Sequence, residues 1–448
     1  MILLSLSILN IILLGAYLHL RFGPKRLGIY LPDFFLAGIA LYVVGAIYLS
    51  ISGNRASDLI VVQISLVVLA SGTSGCVLSS WRLWGKYSRG NYLRDLANED
   101  SSFLERLGVI IGFAFSLAIC VIFVVLIISS TSLSALLADI IIFDDKSNAL
   151  SLLRKEITNG SSGYLAPGFV MQFRDFLGPV FFLTLLFYSR SGRGKKMHKI
   201  TLITASIVCF SALLISGNRG GLVLLSVAFF YSYAESKKIH RNHKHKIRRV
   251  SKNVKILIVS ILFISYWSTS FLLGRLESGS TWFGSILDIF VNVIDRVILR
   301  VPYENMATFY YWSELSPSYG QTWWEELGRV SVGNSRFGLS NILHRLNGGS
   351  IEGNSPLGLP VDVWVAWGWL GAIFIPALYG IFLSGFDLIL SRHRSAVLHS
   401  VKIVLALAVL RIYSPYGFML YGGASSLILA GMVIFLRASI CDVSGRGR

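Results

Sequence analysis

Arginine and aromatic side chains crowd one stretch of this 448-residue chain in a pattern suited to phosphate and sugar. Between residues 275 and 360, Arg275, Arg296, Arg300, Arg329, Arg336 and Arg345 share the stretch with Trp282, Tyr303, Trp312, Tyr319, Trp323 and Trp324. A guanidinium offers phosphate two parallel charge-assisted N–H bonds. An aromatic face stacks on a sugar ring, and near a bilayer it serves as readily as an interfacial anchor. His344 is the one histidine in this stretch. Imidazole titrates near neutral pH and can take a proton from a hydroxyl, although a lone histidine is more often a plain surface residue. Glu304, Glu326, Glu352 and Asp362 are the carboxylates that compete for that role.

Other arginines have the same ambiguity. The pentapeptide ISGNR occurs at Ile51–Arg55 and again at Ile215–Arg219. Ser, Gly and Asn are what a tight turn between helices requires, and Arg55 fits that reading. Arg219 is followed by Gly220 and Gly221 and then by an apolar run. Arginine beside bare backbone amides at a helix N-terminus makes an anion site. Arg174, with Asp175, falls in the first turns of one apolar run, and Arg411 near the end of another. Charges there either neutralise buried partners or face a polar cavity.

The elements that must position these groups are membrane helices. Apolar residues make up 54% of the chain and charged residues only 14%, and mean hydropathy is +0.65. Continuously apolar runs, each near the ~20 residues a bilayer demands, lie around 1–20, 31–52, 58–80, 107–129, 167–189, 198–216, 220–234, 255–274, 361–386, 398–412 and 418–436. The first lacks a basic leader and a small-residue cleavage site, so it reads as a retained helix. Basic clusters at Arg21–Arg26, Arg82–Arg94, Arg190–Lys199, Lys237–Lys255 and Arg392–Arg394 follow every second run. Such alternation marks cytoplasmic loops and predicts an outside N-terminus, about 11 transmembrane helices and an inside C-terminus.

The expected architecture is an all-α polytopic membrane protein. Residues 1–274 supply helices one to eight, 275–360 a large extracytoplasmic loop with short and interfacial helices, and 361–448 the last three helices and a short tail. Apolar stripes near 131–143 and 281–300 suit helices lying along the membrane surface; 281–300 could instead be a twelfth span, against which Asp288, Asp295 and Arg296 in its middle argue. The net charge of +18 is a topology signal in contact with anionic membrane lipids, not a nucleic-acid surface. Cys76, Cys120 and Cys209 lie in apolar runs and Cys441 in the tail. No disulfide framework, metal-ligand spacing, phosphate-binding glycine loop or hydrolase motif is present, so neither a metal nor a cofactor is expected.

At the end of the loop the sequence resembles a known family. Asp362, Trp367, Gly368, Gly371 and Gly380 resemble the acidic, aromatic and glycine pattern of the Wzy-type polymerases of O-antigen and related polysaccharides. Gly320, Thr322 and Leu327, within Ser318–Gly338, resemble a second segment of that family, and the SGNRGG turn resembles its arginine motif. Where the family often has a Pro-Arg pair this chain reads GRVSVGNSR, so the corresponding arginine is Arg329 or Arg336. The resemblance implies a multi-pass protein of the bacterial inner membrane with its site facing the periplasm. It implies a metal-independent glycosyltransferase that moves a growing glycan from undecaprenyl diphosphate to the terminal sugar of an incoming lipid-linked repeat unit. Arg219, Arg296, Arg300, His344 and Asp362 would then be catalytic. Arg174, Arg329, Arg336, Arg345, Arg411, Trp323 and Trp324 would bind substrate, and a separate chain-length regulator is the expected partner. An O-antigen ligase would use the same donor, and a flippase for lipid-linked oligosaccharides is the alternative of a different class.

Overall fold

Long apolar runs fold as helices because a helix satisfies its backbone N–H and C=O groups internally, as a bilayer requires. The computed structural model describes residues 2–21, 30–53, 56–84, 111, 114, 176–190, 298–312, 317–324, 339–348, 357–392, 395–410 and 424–445. All regular structure among them is helical: α1 (Ile2–Arg21), α2 (Leu31–Gly53), α3 (Ala56–Trp84), α4 (Gly178–Arg190), α5 (Arg300–Trp312), α6 (Leu339–Leu346), α7 (Leu359–Arg392), α8 (Ala396–Leu410) and α9 (Ala424–Gly445). Among the described residues, four segments are long and apolar enough to cross a membrane: Ile2–Leu20, Leu31–Gly53, Leu59–Ser80 and Leu359–Ser391.

Those four coincide with the expected runs at 1–20, 31–52, 58–80 and 361–386, the last extending further at its C-terminal end. Of the runs at 398–412 and 418–436, residues 398–410 lie in α8 and 424–436 in α9, and of the run at 167–189, residues 178–189 lie in α4; residues 411–412, 418–423 and 167–175 of these runs lie outside the described residues. The runs at 198–216, 220–234 and 255–274, nearly all of 107–129, the stripe at 131–143 and residues 281–297 of the stripe at 281–300 lie outside the described residues. α5 and α6 fall within 275–360.

The chain divides into two compact units. The first comprises residues 1–90, 292–392 and 405–424 and contains α1, α2, α3, α5, α6 and α7. Its central contact is α3 against α7, permitted by small side chains that let two backbones meet. A Cβ on Gly75 would fall on the Ala377 carbonyl oxygen, and one on Gly380 would lie 2.8 Å from the Gly72 oxygen and 3.0 Å from Cys76 Sγ. Ser71 Oγ donates to the Ile373 carbonyl, beside the Ala372 carbonyl whose helical donor Pro376 lacks. Asn10 ties α1 to α3 by donating to the Leu66 carbonyl at 3.0 Å. The hydroxyls of Ser65, Thr73 and Ser384 turn back to carbonyls one turn earlier on their own helices, so these three need no water.

One end of this unit is fastened by carboxylates. The Leu31 N–H, one of the unpaired donors at the start of α2, donates to Asp387 Oδ1 on α7 at 3.0 Å. Tyr17 of α1 donates to Asp33 Oδ1, in the first turn of α2, at 2.5 Å. A negative charge at a helix N-terminus opposes the positive end of its dipole, so the acids stabilise the turn they close.

The second unit comprises residues 91–291, 393–404 and 425–448. Within it the Phe187 ring of α4 meets the His399 ring of α8 edge-on, with centroids 5.1 Å apart. His399 and Lys402, one turn apart on α8, are both buried.

Candidate functional site

Two segments from the arginine-rich stretch, 317–324 and α5, converge on the start of α7, and a third, α6, joins α5. The convergence starts with a break. Gly368 has φ 61° and ψ −143°, so α7 is two helical segments joined at a kink. Only glycine enters that region without strain. At the break, the carbonyls of Val365 and Ala366 accept from Ser318 N and Gly320 N, each at 3.0 Å. The segment 317–324 is thereby held by its backbone to α7, and the exposed helical carbonyls are satisfied.

Ser318–Gln321 is a tight turn in which Gln321 N donates to the Ser318 carbonyl at 3.0 Å. Both central residues have positive φ, 49° at Tyr319 and 84° at Gly320, as a type I′ turn requires. Gly320 is further constrained because a Cβ there would lie 2.6 Å from Trp367 Cζ2. The turn leads into one helical turn that carries Trp323 and Trp324.

Trp323 Nε1 donates to Asp362 Oδ2 at 2.9 Å, and the Trp323 and Trp367 rings meet edge-on at 6.4 Å. Asp362 is buried, whereas Trp324 is exposed. A buried carboxylate that holds an indole N–H orients the ring as well as neutralising its polar edge. Replacing Asp362 by leucine should leave that N–H without its acceptor and lower stability by about 1–3 kcal/mol. Asp362→Asn keeps an oxygen for the indole and should stay near the wild-type thermal midpoint in detergent. Equal loss from both substitutions would mean that this bond does not fasten the segment.

α5 packs against α2, α6 and α7. It packs on α2 at Gly45, where a Cβ would fall on the Ile298 carbonyl oxygen and 2.9 Å from Pro302 Cγ. Asn305 Oδ1 accepts from Gly358 N, just ahead of α7, at 3.0 Å. On α5, Arg300 Nε donates to Glu304 Oε1 at 2.5 Å, an i,i+4 ion pair. The Arg300 side chain is 41% exposed and that of Glu304 10%. Glu304 Oε2 is buried and accepts no hydrogen bond among the described residues.

α6 joins the group through its C-terminus. Asn347 Nδ2 donates to the Glu304 carbonyl at 3.0 Å. Gly348, at φ 82°, ends the helix as its N–H bonds the Arg345 carbonyl at 3.0 Å. His344 is half-buried and Arg345 exposed on this helix.

Of the residues expected from sequence, then, Arg300, Trp323, Trp324, His344, Arg345 and Asp362 are described, and all lie in the first unit. Trp323 and Asp362 touch directly. Arg300 and the helix bearing His344 and Arg345 meet through Glu304 and Asn347. Arg174, Arg219, Arg296, Arg329, Arg336 and Arg411 lie outside the described residues. Sequence reasoning missed Asn305 and Asn347, the amides that splice α5 to its neighbours, and it left Glu304 unpaired with Arg300 although their spacing of four was legible. No protein-family model, no curated protein and no solved structure matches this chain.

Proposed function

We propose that this chain is a Wzy-type polymerase of undecaprenyl-diphosphate-linked oligosaccharide repeat units. What supports the reading is a contact between two patches that carry the family resemblance. Gly320 and Trp323 of the loop segment meet Trp367 and Asp362 of the later helix. Two separate motifs that merely resembled a family by chance would have no reason to be neighbours. The partly exposed Arg300 guanidinium, held by a buried carboxylate, supplies anion-binding chemistry in the same unit.

The reaction balances without redox chemistry. A hydroxyl of the incoming unit's terminal sugar bonds to the anomeric carbon of the growing glycan. The bond from that carbon to the phosphate oxygen breaks, and both its electrons leave on undecaprenyl diphosphate. Arginines stabilise the negative charge that develops there. The hydroxyl proton passes to a nearby base, for which His344 and Asp362 are the candidates. The full arrangement in this reading has about 11 helices in the bacterial inner membrane, an outside N-terminus and the 275–360 loop in the periplasm. The four apolar spans and the alternating basic clusters are consistent with it.

The test is the purified full-length protein in detergent, supplied with lipid-linked repeat units. A ladder of lengthened glycans on the lipid carrier is the expected result. Transfer only to added lipid A-core would make the protein a ligase, and no covalent product would leave a transporter.

A further inference from the structure

We infer that Tyr319 is a fixed stacking platform for a pyranose ring of the lipid-linked glycan; this rests on the polymerase reading. A bulky aromatic at positive φ is an outlier, because type I′ turns favour Gly, Asn or Asp at that position. Such a conformation persists only where its surroundings over-determine it, and it then points to a role for the side chain. The surroundings here do so. Ser318 N and Gly320 N, on either side of Tyr319, are bonded to consecutive carbonyls at the α7 kink, and Gln321 N closes the turn. The backbone is fixed, yet the Tyr319 residue is 72% exposed. Burial in a core therefore cannot explain the aromatic.

A membrane anchor is the competing use for an exposed tyrosine, since aromatic rings gather at headgroup level. Anchoring needs a ring at the right depth and gains nothing from a rigid, strained backbone. Recognition of a rigid ring does gain, because a platform set in advance loses little freedom on binding. The polar groups alongside also suit a carbohydrate. Ser318 Oγ, which opens the turn, and Thr322 Oγ1, just after it, share a hydrogen bond of 3.1 Å, and each hydroxyl keeps capacity to bond a sugar hydroxyl. Trp324, 74% exposed one helical turn on, adds a second aromatic face. The platform is continuous with the Trp323–Asp362 junction through the same short segment.

The experiment compares wild type, Tyr319→Phe and Tyr319→Gly as full-length proteins. Glycine accepts the turn's φ, so Tyr319→Gly should keep its thermal midpoint within a few degrees of wild type. Its KM for the lipid-linked unit should rise about three- to tenfold, the worth of one aromatic contact. Tyr319→Phe keeps the stacking face and should stay near wild type. Tryptophan fluorescence is followed in parallel during titration with the repeat-unit oligosaccharide freed from its lipid by mild acid. The expected response in wild type is weakened by the same factor in Tyr319→Gly. A wild-type KM and fluorescence response in Tyr319→Gly would overturn the platform while leaving the polymerase reading intact. Absence of polymerisation, together with a Tyr319-dependent fluorescence response, would reject the polymerase reading and keep the platform.

Discussion

Arg300→Ala should lower the rate of polymerisation by about 10²–10³-fold, the usual loss when one donor to a developing oxyanion is removed. The guanidinium is already held in place: Nε is committed to Glu304 Oε1, and Glu304 is itself fixed by burial and by Asn347 on its main-chain oxygen. Among the described residues no other group engages Arg300. A planar cation that is oriented on one edge and 41% exposed suits a diphosphate better than a mobile surface arginine does. Arg300→Lys keeps the charge but cannot reproduce the fork, so it should recover only part of the rate; full activity in the lysine variant would rule out the two-pronged role.

Glu304→Gln separates orientation from charge. If Glu304 acts by aiming Arg300, the glutamine variant should lose activity, and the double variant Arg300→Ala/Glu304→Gln should be no worse than Arg300→Ala alone. Additive losses would show that the two side chains work independently. The thermal midpoint must be followed alongside, because removing Arg300 leaves a buried carboxylate whose second oxygen has no partner among the described residues. Such a charge destabilises by itself, so activity is best compared per folded molecule.

The four described apolar spans were legible because their signal is local. A run such as 31–52 is apolar around its whole circumference, and α2 is found within a residue of that range. The break in α7 was not legible. Gly368 sits between Trp367 and Trp369 in a run that is apolar overall, and glycine is common enough in membrane helices to raise no alarm. Its meaning emerges only with Ser318 and Gly320, about fifty residues earlier, whose N–H groups occupy the carbonyls at the break.

The site follows the same division. Arg300 and His344 stand out by residue type, and Trp323 and Asp362 by their place in resembling motifs. Nothing local says that the last two share a proton across 39 residues of sequence. Asn305 and Asn347 are harder still. An asparagine is unremarked in a polar loop, and each matters here only because its amide meets a backbone group on another element. Tyr319 was legible as one aromatic among many; its backbone conformation was not, because a tyrosine is the wrong residue for the turn it occupies.

The largest effect on the fold is expected from Gly75→Leu. α3 and α7 meet so closely there that a Cβ would fall on the Ala377 carbonyl oxygen and within 2.8 Å of its carbonyl carbon and Cα. Those are backbone atoms of the facing helix, and no side-chain rotation can clear them. The helices must part, which also opens the neighbouring contacts of Gly72 with Gly380 and of Ser71 with Ile373. In a bilayer that separation is not resisted by water, so close packing supplies much of what holds the pair together. The expected loss is about 3 kcal/mol or more, at the upper end for an overpacked site. Gly385→Leu is the matched control. It makes the same change on α7, but a Cβ there has nothing within 4 Å. Thermal unfolding in detergent should show a sharply lowered midpoint, or no folded protein, for Gly75→Leu, and a midpoint close to wild type for Gly385→Leu. If both variants behaved alike, glycine in these helices would matter through flexibility and not through contact. Should Gly75→Leu alone fail, the α3–α7 seam is the scaffold on which the kinked first turns of α7, and with them Asp362 and the 317–324 segment, are held.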